Sequence, residues 1–312
     1  MSKVEPSLEA RALGSTSPSG GLLRGLVRSC RPKQWVKNVL VLAAPGAAGV
    51  LSHETPLLRS LAAFAIFCCV ASGTYLLNDS LDAEADRHHP AKRHRPIASG
   101  VVPVPLALTL GIILLAAGVA CSALLDWQLA VVMASYVSVQ FAYSYRLKHE
   151  PIFDLACVAA GFVLRAIAGG VAARVPISEW FLIVAMFGSL IMVTGKRFAE
   201  HAELGDARGS HRATLSAYSE AFLRGVLLIA SAVTVTAYCE WAFQKQAQLH
   251  IHQDPIWYQL SIVPFVLAIL RYGYLVDTGH GGQPEEVVLS DRALQLVGLI
   301  WVATFALGVY AS

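Results

Sequence analysis

The 312-residue chain is 55% hydrophobic and 14% charged, with a mean hydropathy of +0.55, which excludes an ordinary water-soluble domain and marks a membrane protein. A net charge of +3 singles out no partner, and no nucleic acid is expected as one. Six cysteines, Cys30, Cys68, Cys69, Cys121, Cys157 and Cys239, lack CxxC or Cys/His ligand spacing and read as small core residues rather than disulfides or metal ligands.

Residues 1–21 are polar, rich in Ser and Pro and without the apolar core of a signal peptide. A disordered cytoplasmic tail is therefore expected there, followed by one transmembrane domain over 22–312. Apolar windows recur at 38–51, 58–77, 103–125, 128–145, 152–173, 177–195, 222–243, 256–276 and 293–311. They are continuously apolar rather than alternating, so helices are predicted and not barrel strands. The expected fold is an all-α integral membrane protein, a bundle of about nine transmembrane helices with a cytoplasmic N-terminus. The first window is the weakest, because Pro45, Gly46 and Gly49 interrupt it and it falls short of the roughly twenty residues a span needs. In this topology 19 of the 24 Lys and Arg residues lie on the cytoplasmic side and only Arg59, Arg174 and Lys245 outside, the asymmetry that cytoplasmic loops carry. Arg165 falls within a span and Arg224 near the start of one.

The stretch Leu76–Pro96, after the second window, gathers four acids, three histidines and four cations. Asn78, Asp82 and Asp86 stand at i, i+4 and i+8, so a continuing helix stacks them on one face. Two carboxylates and an amide oxygen are hard ligands suited to Mg²⁺, which takes few protein ligands and completes its shell with water and phosphate oxygens. Asp79 and Glu84 are expected to point elsewhere. The alternative is a solvated helix end whose acids pair with Arg87, Lys92, Arg93 and Arg95. Against it stands the cost of gathering carboxylates beside hydrocarbon without a cation. His88, His89 and His94 match no common zinc spacing. Pro90 and Pro96 shape a loop that returns Lys92, Arg93 and Arg95 toward the helix end, and metal with cations implies a polyanion, most naturally a pyrophosphate.

Other polar residues interrupt cytoplasmic helix ends. Lys33, Trp35 and Lys37 precede the first window and suit headgroup anchoring as well as ligand contact; Tyr143, Tyr145, Arg146 and Lys148 close the fourth. Asp154 follows, Arg165 sits two turns into the fifth window, and Lys196, Arg197 and Glu200 end the sixth. A guanidinium inside a span needs a partner or a water-filled cavity, so Arg165 is a functional candidate. Gly161, Ala168, Gly169 and Gly170 read as close helix packing.

The helix pattern and the motif Asn78-Asp79-Ser-Leu-Asp82-Ala-Glu-Ala-Asp86 resemble the UbiA superfamily of intramembrane prenyltransferases, over most of the chain after about residue 25. Members bind a diphosphate through Mg²⁺ at this motif and use a second acidic motif after the sixth helix. Here that position reads Val193-Thr-Gly-Lys196-Arg197-Phe-Ala-Glu200-His201, with two cations where carboxylates are usual. Arg31–Pro45, Asn78–Gly100 and Gly195–His201 look like the branch that moves 5-phosphoribose from phosphoribosyl pyrophosphate to a polyprenyl phosphate for cell-wall arabinan. The resemblance implies a Mg²⁺-dependent enzyme of the bacterial plasma membrane, compatible with homo-oligomers and working on its cytoplasmic side. It further implies that Asn78, Asp82 and Asp86 are metal-binding and catalytic. Lys33, Lys37, Lys92, Arg95, Tyr145, Lys148, Arg165, Lys196, Arg197 and Glu200 would then bind substrate, leaving open whether Lys196 and Arg197 hold the lipid phosphate or the donor's 5-phosphate. An aromatic prenyltransferase and a transporter are the rival readings; the first wants a second acidic motif, the second wants acids near the bilayer midplane.

Overall fold

A computed structural model describes residues 18–90, 92–204, 217–248, 256–279 and 284–310. The tail expected over 1–21 lies outside the described residues as far as residue 17; helix α1 already begins at Pro18 (Pro18–Ser29). There is no strand among the described residues. The helices that follow are α2 (Ala43–Ala47), α3 (Glu54–Leu81), α4 (Ala83–His88), α5 (Val104–Leu125), α6 (Trp127–Tyr145) and α7 (Phe153–Ala173). The remainder are α8 (Glu179–Leu204), α9 (Glu220–Gln248), α10 (Trp257–Asp277), α11 (Pro284–Ser290) and α12 (Arg292–Tyr310).

Seven helices, α3, α5, α7, α8, α9, α10 and α12, contain stretches long and apolar enough to cross a bilayer, so the chain is a multi-pass membrane protein. Helix α6 has the length, 19 residues, but Gln128, Ser135, Ser138 and Gln140 dilute its hydropathy. The window at 38–51 is not one helix. It comprises a 3-10 segment (Pro32–Leu42), the five-residue α2 and a second 3-10 turn (Val50–Ser52). Pro45 and Gly46 are poor continuations of a helix, and Gly49 takes a left-handed φ of 73° that breaks it.

The chain divides into two compact units: Met1–Val36 with Ala71–Ala116, and Lys37–Val70 with Ala117–Ser312. In the first, Leu22 and Leu26 of α1 and Cys30 just after it stand at helical spacing and pack on Leu76, Ile97, Val102 and Ala107. A Cβ added at Gly73 would stand 2.9 Å from the Gly111 carbonyl oxygen, so the backbones there touch. This unit carries the whole Asn78–Asp86 motif.

The core of the second unit joins Leu155 of α7 and Ile191 and Phe198 of α8 to Leu223 of α9 and Tyr272 and Val276 of α10. A second cluster is aromatic: Tyr238, Trp241, Tyr258, Trp301 and Phe305, with the Trp301 indole donating to the Tyr238 hydroxyl at 2.8 Å and Ser261 Oγ 2.7 Å from the same hydroxyl. Those bonds satisfy the polar tips that burial would otherwise penalise.

Candidate functional site

The chain's amides continue in helical register past the end of α3: Asp82 N–H donates to the Asn78 carbonyl at 2.9 Å and Asp86 N–H to the Asp82 carbonyl at 2.8 Å. Asn78, Asp82 and Asp86 therefore lie on successive turns. Asp86 is buried, whereas Asn78 and Asp82 are half-buried. The same arithmetic brings in Asp79, because seven residues are nearly two full turns and Asp79 and Asp86 share a face.

Arg95 joins them. Its Nη1 donates to Asp79 Oδ1 at 3.0 Å and to Asp86 Oδ2 at 2.7 Å. Arg31 Nη2 reaches Asp79 Oδ1 at 2.6 Å, its guanidinium 4.7 Å from the Tyr75 ring centroid, and Lys92 Nζ lies 4.0 Å from Asp86 Oδ1. Arg31 sits in left-handed backbone, φ 52°, which costs a non-glycine residue energy and aims this side chain at the motif. Trp35 donates its indole N–H to Ser72, whose hydroxyl bonds the Cys30 carbonyl; these bonds fix the chain on either side of Arg31. Arg87 turns away to the Ala98 carbonyl. Two buried carboxylates thus meet three cations that keep roughly a third of their side chains exposed.

Among the described residues no three of His, Cys, Asp and Glu converge as a metal-binding set. The donor chemistry nevertheless fits a Mg²⁺ site of the kind completed by phosphate oxygens and water, since one cationic atom already draws on Asp79 and Asp86 together.

The second unit separates its predicted site residues into distinct settings. Arg197 is 3% exposed; its Nε meets Asp154 Oδ2 at 3.1 Å and its Nη1 meets Glu200 Oε2 at 2.9 Å. Asp154, fully buried, also accepts from the Tyr218 hydroxyl, which in turn accepts the Ile152 N–H at 2.6 Å. Burial, reinforced by the Asp154 hydrogen bond, pushes the Tyr218 phenol well above its ordinary value, so it stays a donor. Lys196, one residue from Arg197, is half-exposed.

Arg165 has no carboxylate partner among the described residues. Its donors go to Asn38 Oδ1 at 2.8 Å, the Gly161 carbonyl at 2.6 Å and the Tyr136 hydroxyl at 3.2 Å, while the rings of Phe67, Tyr136 and Phe162 lie within 5.7 Å. The aromatic faces supply the negative potential that a carboxylate would otherwise provide. Lys37 and Lys148 are half-buried, and Lys33 and Tyr145 exposed. A cavity of about 780 Å³, lined by Trp127, Arg174 and Ile177 among others, lies at the end of α7 remote from Asp154 and contains none of the predicted site residues.

Spacing does not mark Arg31, Asn38 or Tyr218, and Asp79, expected to point elsewhere, instead joins Asp86 at Arg95. Only Asp79 carried a local signal, its seven-residue interval to Asp86.

This all-helical membrane architecture, with its Asn-Asp motif at the end of an apolar helix, belongs to the UbiA prenyltransferase family, which matches residues 39–309. Near relatives are more particular. The chain is 43% identical to decaprenyl-phosphate phosphoribosyltransferase of Mycolicibacterium smegmatis over 98% of both chains. It is 46% identical to the Corynebacterium glutamicum protein of the same name over 94% of this chain and 89% of that one. Among solved structures, a UbiA homolog from Archaeoglobus fulgidus bound to GPP and Mg²⁺ superposes with a TM-score of 0.67 at 19% identity, covering 92% of this chain and all of the other. That likeness establishes the fold.

Proposed function

We propose that the chain transfers 5-phosphoribose from phosphoribosyl pyrophosphate to decaprenyl phosphate, releasing pyrophosphate, in the bacterial plasma membrane with its motif on the cytoplasmic side. The observation that carries this reading is near-full-length identity of 43–46% to relatives named for the activity. The asymmetric placement of Lys and Arg supports the orientation.

The chemistry at Asn78–Asp86 is that of a leaving pyrophosphate. Asn78, Asp82 and Asp86 would hold Mg²⁺, which when bound supplies positive charge against the leaving group. Arg95, Arg31 and Lys92 are cations with exposed surface beside those acids, placed to take phosphate oxygens in bidentate or single contacts. A lipid phosphate is anionic at neutral pH and needs no strong general base, so positioning and charge carry the step. Lys148 and Lys196 are assigned to anionic groups of the substrates. Arg197 is assigned to holding α8 against Asp154 rather than to substrate, since its guanidinium is buried on two carboxylates.

The test is incubation of detergent-purified protein with radiolabelled phosphoribosyl pyrophosphate, decaprenyl phosphate and Mg²⁺. Label should enter the lipid phase and be lost with EDTA and with Asp82→Ala. Unlabelled lipid, together with reaction of a prenyl diphosphate and an aromatic acceptor, would overturn the reading in favour of aromatic prenyl transfer.

A further inference from the structure

Three non-glycine residues among those described adopt positive φ, and only Ile152 of these is β-branched. Its φ of 70° and ψ of −46° fall near the γ-turn region, where a branched side chain crowds its own backbone. Such a conformation persists only where the surroundings hold it.

The holding group is Tyr218. Its hydroxyl accepts the Ile152 N–H at 2.6 Å and donates to Asp154, two residues on, whose other oxygen is fixed by Arg197 Nε at 3.1 Å. Tyr218 is 4% exposed, so water does not compete for these bonds. Ile152 stands between α7 and the 3-10 turn Leu147–His149, which carries Lys148. An ordinary φ at Ile152 would redirect that turn.

We infer that Tyr218 is a positioning residue: its hydroxyl locks the strained Ile152 backbone and thereby fixes the turn that presents Lys148 to an anionic substrate. The inference rests on the proposed phosphoribosyl transfer for its functional half. Without the hydroxyl, the Ile152 N–H loses its acceptor, and the Asp154 N–H bond to the Glu150 carbonyl at 3.1 Å is left to hold the strained turn, so the segment between Glu150 and Asp154 loosens. Burial of an ordinary core tyrosine predicts none of this.

The test compares full-length wild type, Tyr218→Phe and Tyr218→Phe/Ile152→Gly in detergent or lipid nanodiscs. Amide hydrogen exchange at Ile152 should quicken about tenfold in Tyr218→Phe, the scale of one lost hydrogen bond. Its kcat/KM for phosphoribosyl pyrophosphate should fall by about the same factor, with KM for the lipid unchanged. Glycine adopts positive φ without a steric penalty, so the double variant should regain most of the lost transfer although the hydroxyl is still missing. Unchanged exchange at Ile152 in Tyr218→Phe overturns the inference. So does faster exchange with unaltered kinetics, or a double variant no better than the single one. If wild type itself transfers no phosphoribose, the functional reading has failed instead, and exchange, which needs no substrate, alone decides whether Tyr218 holds the turn.

Discussion

Arg95 and Arg197 are each set between two carboxylates, yet Arg95 leaves 30% of its side chain exposed and Arg197 only 4%. The motifs look alike on paper: one guanidinium, two acids, distances of 2.7 to 3.1 Å. Environment separates them. Around Arg95 water reaches the guanidinium although Asp79 and Asp86 are buried, which leaves the cation a face open to an incoming anion. Around Arg197 desolvation has already been incurred, so removing Asp154 strands a buried charge. The same chemical grouping is thus partly open to water in one unit and sealed from it in the other.

The largest effect that would break this contrast lies at Asp154. Asp154→Ala should destabilise the protein by about 3–5 kcal/mol, because Arg197 loses a fully buried partner, while Asp154→Leu with Arg197→Met should recover most of that. Thermal unfolding in detergent reads both, and a wild-type melt for Asp154→Ala would end the view of this pair as a clamp. Arg95→Gln should weigh more on transfer than on stability: transfer falls on the order of a hundredfold, the scale of a removed electrostatic donor, while the melt shifts by less than for Asp154→Ala because Arg31 and Lys92 still face the two buried acids. A variant that transfers normally would show that Arg95 belongs to the fold.

Arg165 sharpens the comparison as a guanidinium held without a carboxylate. Arg165→Met should cost about 1–3 kcal/mol through the unpaired Asn38 and Tyr136 groups, again read by melting. The smallest effect is at a half-buried pair. Arg271 Nη2 meets Asp291 Oδ2 at 2.7 Å, and that hydrogen bond, with one from the Leu294 N–H, holds the Asp291 carboxyl below its ordinary range. A depressed carboxylate stabilises the fold above its unfolded pKa and loses the contribution as pH falls through the folded one. Acidification below the ordinary carboxylate range should therefore lower the melting temperature of wild type slightly more than that of Asp291→Asn; equal slopes would remove the pair from the account.

Much of the helix pattern could be read from hydropathy, with differences where polar residues extend or break helices. Helix α3 runs to Leu81, beyond the window ending at 77, because Asn78, Asp79 and Ser80 continue helical hydrogen bonding past the apolar stretch. The 38–51 window looked apolar enough to be a helix, but Pro45 and Gly49 decide against it. In the site, local spacing revealed the stacked Asn78, Asp82 and Asp86. Partners brought in by folding were hidden: Arg31 lies 48 residues from Asp79, Tyr218 66 from Ile152, and Asn38 127 from Arg165. No periodicity reaches across such intervals, and a buried arginine in a sequence gives no sign whether it faces a ligand or an aromatic wall.

Gly169 sets a limit on how this protein can vary. A Cβ there would fall 1.6 Å from the Val41 carbonyl oxygen, a backbone atom that cannot rotate aside. Every side chain, alanine included, must push the 3-10 segment off α7 and with it Asn38, the residue that anchors Arg165. In a saturation library scored for folded protein, position 169 should therefore behave as all-or-nothing: a single permitted letter, far in sequence from the Asn78–Asp86 motif.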